Sequence, residues 1–200
     1  MSEMKLTYFN ARGRAELTRL LFAQAGKKYV DCRLTGDEFK AMKDSTLKGQ
    51  LPILEVDGQQ ICESMAIARH VARETGLYGS SNCEATACDM VIESCNEVIN
   101  AIIGKMFRAK TEEEKAAADE KIHSAVGGLN KVLVKVKGGK FLLGEKASIG
   151  DAAVFSILEY CKVANIEPNA ECTAVREVEK NFAEQECIAN YLKSRPETQF

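Results

Sequence analysis

The chain has 200 residues, 46% apolar and 28% charged, with 27 basic against 29 acidic side chains and a net charge of −2. That length admits one large domain or two small ones, and burial of roughly 70% of the unfolded surface makes disulfide staples unnecessary. The composition excludes disorder, collagen and coiled-coil rods, and the charge balance leaves no electrostatic footprint for nucleic acid or an anionic membrane. The expected partners are a small molecule or another protein.

Strand and helix signals alternate over residues 1–77. Lys5-Leu6-Thr7-Tyr8-Phe9 reads as a short strand. After Gly13, the apolar positions Leu17, Leu20, Leu21 and Ala25 follow helical spacing, with Gly26 as the stop. Tyr29-Val30-Asp31-Cys32 is a second short strand. Ile53-Leu54-Glu55-Val56 and Gln59-Gln60-Ile61-Cys62 flank Asp57-Gly58, the signature of a two-residue hairpin. A further helix opens at Ser64 and closes at Gly76. The order β-α-β, then β-β-α, predicts a small α/β domain with a mixed sheet.

Residues 78–84 (Tyr-Gly-Ser-Ser-Asn-Cys-Glu) are turn-rich and read as a linker. Beyond them, Val91, Cys95, Val98, Ile102 and Met106 form one helical stripe, and Ile122, Val126, Leu129, Leu133 and Val136 another. The run Glu112-Glu113-Glu114-Lys115 suits a solvated helix start, because carboxylates favour the N-terminal turn. Gly138-Gly139 ends the pair. Ser148-Ile149-Gly150-Asp151 before an apolar run is a capping box; with no histidine nearby it is a folding signal, not a catalytic Ser/Asp pair. Residues 85–200 are expected to form an all-helical domain.

Eight cysteines invite a disulfide or zinc reading. No pair has C-x-x-C spacing and only His70 and His123 could join them, so neither framework forms. The opening Met1-Ser2-Glu3-Met4-Lys5 lacks the apolar stretch of a signal peptide, and no run approaches the roughly 18 apolar residues of a membrane span. A cytoplasmic chain whose cysteines are small hydrophobes is expected.

Two residues stand apart. Pro52 sits at the mouth of a strand in Leu51-Pro52-Ile53-Leu54. A trans bond suits a strand's first residue, whereas a cis bond would turn the Leu51 backbone towards an extended ligand. Tyr8 ends its strand and is followed by Asn10-Ala11-Arg12-Gly13-Arg14-Ala15-Glu16, a loop with two guanidinium groups leading into a helix N-terminus. A hydroxyl donor beside cations and a helix dipole suits an anion.

The run from Lys5 through Glu16 resembles the opening of a sigma-class glutathione transferase. So do Gln50-Leu51-Pro52-Ile53-Leu54-Glu55-Val56-Asp57-Gly58, the Glu63-Ser64 pair followed by Ile67-Ala68-Arg69, the Ser148 box, and the end Tyr191-Leu192-Lys193-Ser194-Arg195-Pro196. The resemblance implies an N-terminal thioredoxin-like domain (residues 1–77), a linker (78–84) and a C-terminal helical bundle (85–200). It implies glutathione as co-substrate with no metal required, a small hydrophobic electrophile, and a homodimer. Carried over by position, Tyr8 donates to the glutathione sulfur and Arg14 helps hold the thiolate. Lys43 pairs with the glycyl carboxylate, with Phe39 beside it. Gln50 and Leu51 hold the cysteinyl segment, with Pro52 cis. Glu63 and Ser64 bind the γ-glutamyl end, and Glu97 reaches it from the partner subunit. Arg12, Ile99, Ile103, Gly104 and Met106 fall at the hydrophobic-substrate pocket, where the apolar members equally suit bundle core.

The chain departs from that pattern in four places. Phe39 replaces a common Trp, removing an indole donor. Glu63 replaces a Gln, and its charge can pair with the γ-glutamyl amine. The acidic pair has become Asn96-Glu97. Ile102-Ile103-Gly104 stands where haematopoietic prostaglandin D synthases carry an aromatic wall ending in Trp, and this chain has no Trp.

The energetics suit the implied chemistry. A free thiol has a pKa of about 8.5, and lowering it by about two units takes near 2.7 kcal/mol of preference for the anion. One hydrogen bond to a charged acceptor supplies roughly 1.5–3 kcal/mol. The resemblance therefore implies detoxifying conjugation. A glutathione-dependent prostaglandin isomerase and a crystallin-like structural or ligand-carrying protein are the alternatives.

Overall fold

The computed structural model describes residues 3–198. Its contacts divide the chain into two compact units. One comprises the chain up to Leu77 together with the segment from Cys187 onward, and the other is Tyr78–Glu186.

The first unit is built on a mixed four-stranded sheet of order β2-β1-β3-β4, the thioredoxin-like arrangement that the sequence implied. Strand β1 (Met4–Phe9) pairs in parallel with β2 (Val30–Leu34) and antiparallel with β3 (Ile53–Val56), which pairs antiparallel with β4 (Gln59–Ile61). The crossover between the parallel strands is α1 (Glu16–Gln24), entered through a short 3-10 turn at Gly13–Ala15. Helix α1 packs against α3 (Ser64–Glu74). Leu17, Leu20, Leu21 and Phe22 are buried from α1, and Ile67, Ala68, Val71 and Ala72 from α3; Met4, Leu6, Ile53 and Leu54 are their buried counterparts in the sheet.

The hairpin turn closes as the Asp-Gly pair requires, with φ 48° at Asp57 and 81° at Gly58. Gly26, at φ 60°, follows the end of α1, so the stop signal holds, but Ala25 is exposed and forms no part of the apolar face. The second strand runs on to Leu34, while Tyr29 lies before it with its ring stacked on Phe22 at 4.0 Å. The helix between β2 and β3 goes unmarked in the sequence reading: α2 (Gly36–Met42), whose Thr35 and Glu38 form a complete capping box.

The second unit is helical. It contains α4 (Asn82–Phe107), α5 (Glu112–Val136), α6 (Ile149–Val163) and α7 (Thr173–Ala183). Helix α4 packs on α5 and α6, and α7 on α5 and α6. Val91, Cys95, Val98 and Ile102 face Ile122, Val126, Leu129 and Leu133 as buried stripes, while Met106 and Val136 are half-buried at their ends. The acidic run opens α5, where Thr111 and Glu114 form another capping box. The final helix, α8 (Glu186–Ser194), belongs by contact to the first unit, whereas the sequence reading ran the helical domain to residue 200. Tyr191 and the following Arg195 both bond to Glu16.

All eight cysteines are free, and Cys88, Cys95, Cys161 and Cys172 are buried. Burial pushes the Cys88 thiol up to about 11, so it is a packing group at neutral pH.

Asp151, fully buried at the start of α6, is the polar anchor of the helical unit. One carboxylate oxygen accepts 2.8 Å bonds from the Ser148 N–H and hydroxyl, and the other accepts the Leu142 N–H at 2.8 Å. Asp151→Ala would strand those donors in the core, and is expected to lower unfolding free energy by about 2–4 kcal/mol in urea titration. A loss below about 0.5 kcal/mol would mean water satisfies the donors instead.

Candidate functional site

Seven of the ten predicted glutathione residues line one cavity of about 510 Å³ in the first unit. Arg14, Phe39, Gln50, Leu51, Pro52, Glu63 and Ser64 all line it. Phe9, Lys48, Gly49 and Cys62 complete the lining and were not singled out by the sequence. Its size falls within the roughly 300–1,000 Å³ of small-molecule sites.

Each wall has a local cause. The Leu51–Pro52 bond is cis, as the resemblance implied, and both residues face the cavity at the entry to β3. Phe9, at the end of β1, meets Phe39 of α2 edge-on at 5.4 Å, which makes an apolar side. The N-terminus of α3 forms another part of the wall. Glu63 precedes it at φ 68°, ψ 112°, a conformation costing a non-glycine residue about 1–3 kcal/mol and found at ligand clamps. Ser64, 7% exposed, is the first helical residue. The first-turn N–H groups of such a helix lack intrahelical acceptors and attract an anion.

Charge is distributed unevenly over the cavity. The Lys48 ammonium pairs with the Glu63 carboxylate. The hydrogen bond from Lys48, its charge and that of Arg14 hold the Glu63 carboxyl below the usual range, and the same pairing with Glu63 raises Lys48. Both side chains are more than half exposed, so solvent and salt screen this pair. Two cations, one anion and a helix N-terminus therefore address whatever enters.

Tyr8 stands beside this cavity and is not part of its lining. Half-buried at the end of β1, it accepts a 3.2 Å hydrogen bond at its hydroxyl from the Arg14 backbone N–H. Gly13, at φ 40°, passes so close that a Cβ there would lie 2.6 Å from the Tyr8 oxygen. Lys43 also lies outside the lining; its stem runs along Gly49, where a Cβ would be 3.3 Å from Lys43 Cε. The cavity-lining lysine is Lys48, five residues on in the loop before β3. Charge at this loop was legible in the sequence, but which lysine turns inward depends on tertiary geometry.

Arg12 donates to the Thr198 carbonyl at 3.5 Å and lines a separate hollow with Leu192, Arg195 and Pro196. In the helical unit, Ile99 is 5% exposed, Ile103, Gly104 and Met106 are half-buried, and Glu97 is exposed on α4. Asn96 donates to Glu93 at 3.0 Å. Among the described residues no group of three or more His, Cys, Asp or Glu could hold a metal ion, and no helix is long and apolar enough to cross a membrane.

Residues 4–73 match the family described as glutathione S-transferase, N-terminal domain, and residues 96–195 match glutathione S-transferase, C-terminal domain. The chain belongs to the glutathione S-transferase family. It is 32% identical to glutathione S-transferase 3 of Caenorhabditis elegans, with all of both chains covered. Hematopoietic prostaglandin D synthase of Gallus gallus is 48% identical over 97 residues, which is 48% of this chain and 49% of that one. A Nu-class GST from Haemonchus contortus superposes with a TM-score of 0.85 at 27% identity, with both chains fully covered. Glutathione is the co-substrate of this family of transferases.

Gly13→Ala would drive a methyl group into the Tyr8 hydroxyl at a backbone angle that disfavours L side chains. The variant is expected to lose about 1–3 kcal/mol of unfolding free energy in urea titration, because the clash and the backbone angle both oppose the methyl group. An unchanged stability would mean that the loop shifts to admit the methyl group.

Proposed function

We propose that this glutathione S-transferase is a sigma-type enzyme that conjugates glutathione to small apolar electrophiles, with Tyr8 as donor to the glutathione thiolate. The observation that carries this reading is the Tyr8 hydroxyl held by the Arg14 N–H at the edge of a cavity with matching charges. A phenol oxygen that accepts a hydrogen bond is a stronger donor through its own O–H, and the nearby Arg14 guanidinium adds positive potential. Together these favour the anion of a thiol by the roughly 2.7 kcal/mol that two pKa units require.

Arg14, Lys48, Gln50, Leu51, Glu63 and Ser64 bind and orient the peptide. Lys43, whose stem runs along the cavity residue Gly49, is assigned to its glycyl end, and Phe39 packs against it. The thiolate attacks an electrophilic carbon. A C–S bond forms, the leaving group departs with its electron pair, and no metal takes part. A homodimer in which Glu97 reaches the partner's glutathione amine, in a cytoplasmic setting that keeps eight thiols free, completes the reading.

The likeness to the Gallus gallus synthase favours a second reading, isomerisation of a prostaglandin endoperoxide by the same thiolate. The Ile102-Ile103-Gly104 segment and the absence of Trp weigh against it. Incubation with prostaglandin H₂ and glutathione decides between them by its product.

Tyr8→Phe tests the principal reading. Conjugation of 1-chloro-2,4-dinitrobenzene at neutral pH is expected to fall about 10- to 100-fold with glutathione affinity nearly unchanged, since the lost bond acts on the anion. A wild-type rate would remove Tyr8 from the mechanism.

A further inference from the structure

Beneath the loop joining Tyr8 to Arg14 lies a buried ionic cluster that the proposed chemistry does not use. Arg19 has no exposed surface and Glu16 is 2% exposed. Arg19 Nη1 donates to the carbonyls of Ala11 at 2.7 Å and Arg12 at 3.3 Å, and lies 3.4 Å from Glu16 Oε2. Its Nε donates to Asp31 Oδ1 at 3.1 Å. The other Asp31 oxygen accepts from Arg33 Nε at 2.8 Å, and Arg33 Nη1 donates to the Asn10 side chain at 3.2 Å. Three successive loop residues, Asn10, Ala11 and Arg12, are thereby held by guanidinium groups.

The second oxygen of Glu16 turns to the C-terminal segment. Oε1 accepts from the Tyr191 hydroxyl at 3.0 Å and from Arg195 Nη1 at 2.9 Å. A buried carboxylate keeps its position only while its oxygens are bonded.

We propose that Glu16 is a positioning residue for Tyr8, coupling α8 and Arg195 to the tyrosine hydroxyl through Arg19 and the loop. The inference rests on the reading of Tyr8 as thiolate donor. Without the Tyr191 and Arg195 donors, Glu16 Oε1 lacks partners and the carboxylate turns towards Arg19, the remaining cation. Arg19 Nη1 then leaves the Ala11 and Arg12 carbonyls. Gly13 and Arg14 come next in the chain, and Arg14 supplies the N–H that donates to Tyr8. A loop released by even about 1 Å loses that bond, and Tyr8 becomes a poorer donor to the sulfur.

The test uses the full chain with Tyr191→Phe, Arg195→Met, these two together, and Arg195→Lys, each also combined with Tyr8→Phe. Two readouts are taken: amide hydrogen exchange at residues 11–14 without ligand, and the pH profile of kcat/KM for conjugation. Arg195→Met is expected to speed exchange at those amides about tenfold or more, and to raise the acidic midpoint of the profile by about half a unit. Arg195→Lys, which keeps a cationic donor, restores most of both, and the profile shift vanishes when Tyr8 is already Phe. Unmoved exchange at residues 11–14 in the variant carrying both Tyr191→Phe and Arg195→Met overturns the coupling, whatever the kinetics. A shift that persists without Tyr8 overturns the route through the tyrosine. If the wild type forms no thiolate, the catalytic reading fails by itself, and the exchange data still decide whether α8 positions the loop.

Discussion

A guanidinium with no contact with water sets the terms for the first unit. Arg19 is wholly buried, which works against its charge, yet Asp31 and Glu16 outweigh that cost and raise its affinity for the proton. Such a group is tolerable only if its surroundings supply acceptors in fixed places. Those acceptors are the loop carbonyls of Ala11 and Arg12, the β2 carboxylate of Asp31 and the α1 carboxylate of Glu16. Nη2 alone has no protein acceptor. The loop after β1 and the edge strand thus converge on one side chain of α1, and α8 reaches it only through Glu16.

The cavity follows a complementary rule. Its buried or half-buried parts, Phe9, Phe39, Pro52 and Ser64, give shape, while its charges stay near water. Lys48 and Glu63 are exposed enough that their pairing is weak and exchangeable, so an incoming ammonium or carboxylate can replace either partner at little cost. Glu63 brings a negative charge to the cavity where the resembled family has a neutral amide. Lys48 offsets that charge. The cavity's charges thus lie near water and exchange readily, whereas the loop beside Tyr8 is anchored in the interior.

Features governed by local rules were legible in the sequence. The Asp57-Gly58 turn, the Gly26 stop, the Ser148–Asp151 box and the two bundle stripes each need only a few neighbouring residues. Helix α2 carried the same kind of signal in Thr35 and Glu38, and was hidden by its brevity and lack of any buried face. The candidate residues Arg14, Phe39, Gln50, Leu51, Pro52, Glu63 and Ser64 came from resemblance, and one cavity gathers them. Long-range placement was not legible. Nothing in the pattern of α8 says that Tyr191 will meet Glu16, 175 positions away, nor that Lys48 turns to the cavity and Lys43 along Gly49. Those choices depend on the assembled fold.

The central claim is that this fold holds glutathione as a thiolate at neutral pH. Its most direct test is the ultraviolet difference spectrum of glutathione bound to the wild-type protein, recorded from pH 5 to 9. The account predicts a thiolate band whose midpoint lies a unit or more below the free thiol's value of about 8.5, with the protein otherwise unchanged. A midpoint at the free thiol's own value, with glutathione demonstrably bound, would contradict it.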